Sequence, residues 1–375
     1  MRITPLIAAL LTTASTAVHA QLVDASYISA VVSALKAANL TAFANAAQTV
    51  AFYTSTEGAS FLASMSASDK TMFVPTNEAF ASLPQSVLDD TPLLVKIFSY
   101  HVLDAAINPN EVTNGPRHMV AGSLYQNSML PVFDLVDNAQ TGNQSFAFRY
   151  QEDNATVHVD TVPVSGSMAS FMIYPINTVL SLPRSLGDAA TSFFPSLAGL
   201  MKQAGLYEPL IETKGITIFA PNDPAVSASG ALFNMLTSTQ VHGILSNHVI
   251  NGTIMYSNVS DTAGYTSAGG EPFRFTTNAT GTYVKSGDHT AQIITPDIPI
   301  ANGVVHIIDR VLANANSNTA AAQSAASSYA AQVTETAVAK VAKKGGAMRS
   351  IPFSVEAAGS AISIFAGIYA GAAFV

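Results

Sequence analysis

"TMFVPTNEAF", Thr71 to Phe80, joins two patterns that do not continue into each other. Thr71 to Val74 is β-branched or apolar and suits a buried strand. Asn77 onward reads as a helix start, with Asn77 as N-cap and Glu78 in the first turn, where its charge meets the helix dipole. Pro75 marks the break. The plan returns at "TIFAPNDPAV", Thr217 to Val226, where Phe219, Pro221, Asp223 and Ala225 stand for Phe73, Pro75, Asn77 and Ala79. Pro224 replaces Glu78, and proline is itself favoured at a helix start.

Two further stretches repeat in the same order. "PLLVKIFSYHVL" places Leu94, Ile97, Phe98 and His101 at i, i+3, i+4 and i+7, and "VHGILSNHVI" places Val241, Ile244, Leu245 and His248 likewise. Both predict an amphipathic helix that runs into a strand, with a histidine closing the apolar stripe. "INTVL", Ile176 to Leu180, answers "IDRVL", Ile308 to Leu312. Three motifs in one order predict a tandem duplication, with domains at 24–183 and 186–313. Pro183-Arg184-Ser185 is a short junction that predicts touching domains. Each unit opens with helical patterning, Ile28 to Leu40 and Leu197 to Leu210. Each then becomes strand-rich ("QSFAFRYQ", "ATVHVDTVPV", "EPFRFTT", "GVVHIIDRVL"), which predicts an α+β fold with antiparallel pairing.

The chain has 375 residues, with 16 basic and 24 acidic side chains for a formal charge of -8. No basic cluster could track phosphates, which excludes nucleic acid as a partner. Only 11% of residues are charged, and there is no cysteine, so disulfide frameworks, thiol catalysis and Cys-ligated metals are excluded. The eight histidines show no i, i+4 pairing. No metal or cofactor is expected.

Both ends read as processing signals. Residues 1–20 carry Arg2, an apolar stretch and Val18-His19-Ala20, the layout of a cleaved signal peptide. Residues 314–346 are rich in Ala, Ser and Thr and predict a stalk, either a solvated helix or an O-glycosylated spacer. Gly345-Gly346-Ala347, a spacer and the uncharged run from Ala357 to Val375 form the pattern of a lipid-anchor signal. The expectation is attachment of glycosylphosphatidylinositol (GPI) at Gly345 and loss of 347–375 as a propeptide.

The corner motifs, "SYHVL", "NHVI" and "NGVVHIIDRVL" resemble the fasciclin-like domain family, present twice over residues 24 to 313. The resemblance implies two wedge-shaped β-sandwiches with helices packed on one side. It further implies an extracellular, non-enzymatic adhesion, cell-wall or matrix protein in the style of fungal GPI-anchored members. Its partners would be cell-surface or matrix proteins and glycans, with the membrane reached through the lipid anchor. The first unit departs from the pattern, with "SFMIYPINTVL" where Asn-Gly-Val-Val-His would stand.

In the family, a Tyr-His or Asn-His pair at this place is linked to receptor binding, which makes Tyr100, His101, Asn247 and His248 the adhesion candidates. Their position at the end of an apolar helix face equally predicts rings that satisfy helix-terminal carbonyls inside the core. Sequons for N-glycosylation stand at Asn39, Asn143, Asn154, Asn251, Asn258 and Asn278. No catalytic residue is predicted: nucleophile elbow, Walker loop and His-Glu-x-x-His are absent, and Asp89-Asp90 and Glu152-Asp153 read as solvated turns. Two other readings remain, a binding module for a small apolar ligand or lipid and an enzyme acting on wall polysaccharide.

Overall fold

The computed structural model describes residues 25–51, 55–65, 69–107, 119–126, 133–135, 138–140, 143–148, 160–162, 171–257 and 264–329. The expected signal peptide, Asn154, Asn258, Gly345 and the anchor region lie outside these residues. The chain forms two compact units: the first is built from the chain up to Glu111, Ala121–Gln126 and the stretch that ends at Leu182, and the second holds Pro183 onward together with the strands between residues 127 and 150.

The first unit begins with helices α1 (Ala25–Ala37), α2 (Thr41–Ala51) and α3 (Thr56–Met65). Strand β1 (Lys70–Pro75) then leads into α4 (Asn77–Ala81), α5 (Gln85–Leu88), α6 (Thr91–Tyr100) and β2 (Val102–Leu103). Strands β3 (Met119–Gln126), β4 (Phe133–Leu135), β5 (Asn138–Gln140), β6 (Asn143–Phe148), β7 (Asp160–Val162) and β8 (Phe171–Ile176) follow in the chain. The main sheet runs β6-β3-β2-β1-β8-β7.

The second unit repeats the order. It has α7 (Leu186–Phe193), α8 (Pro195–Gln203), α9 (Tyr207–Glu212), β9 (Ile216–Pro221), α10 (Asp223–Ala228), α11 (Gly230–Phe233) and α12 (Ser238–Ser246). Strands β10 (Val249–Asn251), β11 (Tyr265–Thr266), β12 (Pro272–Asn278), β13 (Gly281–Ser286), β14 (His289–Ile300) and β15 (Gly303–Ile308) form a sheet in the order β10-β9-β15-β14-β13-β12-β11. β14 pairs with β13 at its start and with β15 at its end, and its register slips between Ile293 and Ile298. That irregularity lets one strand serve two sheet halves.

The strand-rich halves are not purely antiparallel. The central pairs β1·β8 and β9·β15 are parallel, Thr71 to Met172 and Thr217 to Val304 in register, with antiparallel strands around them. Burial on both faces explains the choice, since parallel strands need cover on each side. Ile216, Ile218 and Ala220 face a helical core with Leu197, Met201, Leu210 and Leu245. The alternate residue Phe219 joins Phe273, Phe275, Val284 and Ile308 in a second core. Each fully buried aromatic there contributes on the order of 2–3 kcal/mol. Gly303 is dictated by this pairing, because a Cβ on it would lie 1.9 Å from the Ile216 carbonyl oxygen.

The corner is capped one residue earlier than the sequence suggests. Thr76, not Asn77, is the N-cap, its hydroxyl accepting from the Ala79 N–H. Asn77 instead reaches backward: its Oδ1 accepts from the Ala42 N–H at 2.9 Å and its Nδ2 donates to the Asn39 carbonyl at 2.8 Å. The second corner is wired alike. Asn222 caps α10, and Asp223 Oδ1 accepts from the Ser196 N–H at 3.1 Å. The repeated motif therefore ends a core strand, caps a helix and ties that helix to the start of an earlier one. Asp90 likewise caps α6 through the Leu93 N–H, and Asp89 takes a bond from Gln85, so this acidic pair is spent on helix ends.

The predicted stalk begins as part of the second unit. Residues 319–329 form a helix (α13), with Asn318 Oδ1 accepting from the Ala321 N–H. Tyr329 packs against the aromatic core, and its hydroxyl accepts from the Thr266 N–H. No helix among the described residues is long and apolar enough to cross a membrane.

Candidate functional site

The two histidines close equivalent helices in equivalent ways. His101 is the C-cap of α6, and His248 follows Asn247, the C-cap of α12. Both rings are fully buried. His101 Nδ1 lies 2.8 Å from the Ile97 carbonyl and Nε2 accepts the Leu180 N–H at 2.9 Å. His248 Nδ1 lies 2.8 Å from the Ile244 carbonyl and Nε2 accepts the Leu312 N–H at 3.0 Å. An accepting Nε2 fixes the neutral tautomer with hydrogen on Nδ1, so each ring donates to a helix-terminal carbonyl. Burial pulls each ring down to about 4, the bond to the helix carbonyl opposing only part of that shift. Each ring thus bridges the last turn of a helix and the chain that leaves the final strand. That partner is Leu180 in "INTVL" and Leu312 in "IDRVL", which explains why these motifs recur together.

The neighbouring candidates are buried as well. Tyr100 is 3% exposed and stacks edge-on against Tyr125. Asn247 is wholly buried, and its Nδ2 donates to the carbonyls of Asn314 and Asn316 at 2.9 and 2.8 Å while its Oδ1 accepts from Ser267. Asn314 in turn donates to Glu271 and Ser286, and the Asn318 N–H donates to the Gly269 carbonyl. A ladder of carboxamides thus straps residues 314–318 to the second unit. The track under this strap is stripped of side chains: a Cβ on Gly243 would meet the Ala315 carbonyl oxygen at 2.8 Å, and one on Gly270 the Asn318 carbonyl oxygen at 1.9 Å.

A third buried histidine escaped the sequence reading. His306 on β15 stacks on Phe219 with centroids 5.4 Å apart. Its Nε2 donates to the Met255 carbonyl at 2.7 Å, and its Nδ1 accepts the Asp297 N–H at 3.2 Å. Asp297 is buried at φ 58 and accepts from both the backbone and the hydroxyl of Ser257. Ser, Asp and His meet here without forming a hydrolytic triad. The hydroxyl is directed at the carboxylate, and both ring nitrogens are taken by backbone, so the ring cannot draw a proton from Ser257.

The first unit's departure resolves at the same place. Tyr174 holds the position of His306, pairing with Phe73 as His306 pairs with Phe219. Its hydroxyl donates to the Ile107 carbonyl at 2.9 Å. Ile107 is the counterpart of Met255, since their N–H groups donate to Thr71 and Thr217, each at 2.8 Å. A phenol therefore replaces an imidazole and keeps the same bond. Alignment of "FMIYPI" on "GVVHII" carries that signal once the carbonyl partner is known. Tyr174→Phe is expected to destabilise the first unit by about 1–2 kcal/mol, read as a lower midpoint in urea, because it leaves a buried carbonyl unpaired.

Of the sequons, Asn39 and Asn278 are exposed and Asn251 is half-buried on β10, whereas Asn143 is described only as part of β6. An apolar cavity of about 40 Å³ lies in the first unit among Val31, Leu35, Phe43, Val50, Met72 and Phe98. This is well below the several hundred Å³ of a ligand pocket. Among the described residues, no three His, Asp or Glu side chains converge as a metal site would require.

The fasciclin domain model matches residues 26–183 and again 192–314, and the chain belongs to the fasciclin domain family. Its two units are tandem domains of that family. A fasciclin-like arabinogalactan protein of Arthroderma benhamiae is 24% identical over 62% of this chain, which spans 53% of that relative's length. The fasciclin-like arabinogalactan protein elcF of Phaeosphaeria nodorum is 22% identical over 64% of this chain and 77% of its own. A FAS1 domain pair from the insect cell adhesion molecule fasciclin I matches 65% of this chain and 88% of its own, at 16% identity and a TM-score of 0.32.

Proposed function

We propose that the chain is a non-enzymatic adhesion protein displayed outside the cell, held at the membrane or wall by a GPI anchor near Gly345. The observation that carries this reading is the use made of its buried polar side chains. His101, His248 and His306 spend their ring nitrogens, and Asn247 its amide nitrogen, on backbone groups. Chemistry of this kind builds two rigid scaffolds and leaves recognition to their outer surfaces. The fungal relatives, named as fasciclin-like arabinogalactan proteins, support the same direction.

On this reading Tyr100, His101, Asn247 and His248 set the shape of the binding surface from beneath and do not touch the partner. Beads coated with residues 21–330 are expected to attach to cells or wall fragments and to leave wall polysaccharide unhydrolysed. Phosphatidylinositol-specific phospholipase is expected to release the native protein from membranes. Beads that fail to attach, or that release sugars from the wall, would sink the reading.

A further inference from the structure

We propose that Asn278 carries an N-linked glycan whose first N-acetylglucosamine lies in the groove beside it and forms part of the second domain's surface. The inference rests on the extracellular reading, because only a secreted chain meets the glycosylation machinery. Asn278 and Gly281 end the β12–β13 hairpin as paired residues. Asn278 Oδ1 accepts from the N–H and hydroxyl of Thr280, at 2.8 and 2.6 Å, and the Tyr283 hydroxyl lies 2.8 Å from the same Thr280 oxygen. The sequon hydroxyl thus holds the carboxamide by its oxygen, and the exposed amide nitrogen is the atom to be modified.

β14 leaves β13 at Gln292 to pair with β15, and the divergence opens a groove of about 360 Å³ at this turn. Its walls include Ser257, Thr277, Thr282, Gln292, Ile294 and Pro296. No charged side chain lines it among the described residues. Hydroxyl and carboxamide groups share the lining with Ile294, which is 46% exposed, and Pro296. A neutral acetylated sugar matches that mixture: its hydroxyls meet the polar wall, and its ring face and acetyl methyl cover Ile294 and Pro296. Gln292 Nε2 donates to the Thr280 carbonyl at 2.9 Å and fixes the turn over the groove. Asn251 has no such opening. It pairs with Ile216, Thr253 of its sequon is buried, and a Cβ on Gly252 would lie 3.5 Å from Tyr329.

The full chain secreted from a eukaryotic host tests this by glycopeptide mapping and melting. Asn278 is expected to be occupied. Protein trimmed to one sugar per site should melt with the intact protein, and fully stripped protein about 3 °C lower. In Ile294→Thr, Asn278 should remain occupied while the gap between trimmed and stripped protein closes. A bare Asn278 on a secreted chain glycosylated elsewhere overturns the proposal and leaves the extracellular reading standing. Occupancy with no difference between trimmed and stripped protein overturns the groove. A chain retained in the cytosol without glycans defeats the extracellular reading itself.

Discussion

His248→Ala is expected to lower the stability of the second domain by about 3 kcal/mol. The change removes a buried ring and orphans two buried backbone groups, the Ile244 carbonyl and the Leu312 N–H. His248→Gln keeps one donor and one acceptor and should recover part of the loss. The two variants also differ in pH response. The native ring stays neutral down to about pH 4, whereas the unfolded ring takes up its proton near the ordinary value of 6.5. Between those limits the unfolded chain binds more protons, so wild-type stability should fall as pH drops, by roughly 3 kcal/mol across the window. Glutamine does not titrate, and its variant should lose less over the same range. His101 predicts the same pattern in the first domain. Melting curves from pH 7.5 to 4.5 measure both effects. An alanine variant that melts with wild type yet no longer attaches to cells would make the ring a contact residue and overturn its structural role.

Ending the chain after Ala313 is expected to cost the second domain on the order of 3–5 kcal/mol. Asn247 loses both acceptors of its Nδ2, Glu271 and Ser286 lose the Asn314 carboxamide, and Tyr329 leaves the aromatic core. The melting temperature of residues 21–313 should fall by about 10 °C relative to residues 21–330, with no change in the first domain. Equal melting of the two chains would show that the strap contributes nothing. Asn247→Asp should reproduce part of the loss, since a carboxylate there would point at two carbonyl oxygens.

The repeat, the α+β class and the two buried histidines were legible because each has a local signature. Apolar spacing of three and four places His101 and His248 on a core-facing stripe, and a proline between strand and helix patterns marks the corner. Other features depend on partners distant in sequence. The parallel pairing of β9 with β15 is invisible in either strand alone, since a run buried on both faces shows no alternation to read. The N-cap fell on Thr76 rather than Asn77 because Asn77 is held by the α1–α2 turn, a contact that no rule for helix starts contains. Tyr174 looked like a lost histidine until its hydroxyl was seen on the Ile107 carbonyl. The Ala-rich segment after Asn314 has the composition of a spacer, and only the glycine track and Asn247 reveal that its first part is docked.

The parallel centre of each domain has a consequence for synthesis. β9 has one antiparallel neighbour in β10, but its parallel neighbour is β15, the last strand of the domain to leave the ribosome. The ring of His248 also waits for a residue beyond that strand, Leu312. Closure of the sheet and satisfaction of the helix end therefore come at the same late moment, on the order of ten seconds after β9 is made. Until then a strand that is buried at every position in the folded domain has an open edge, the state in which a nascent chain is most prone to aggregate and most in need of a chaperone. The first domain meets the same wait between β1 and β8, but its closing residue Leu180 is made before any strand of the second. The tandem arrangement thus lets the two slow closures occur in turn, one open edge at a time.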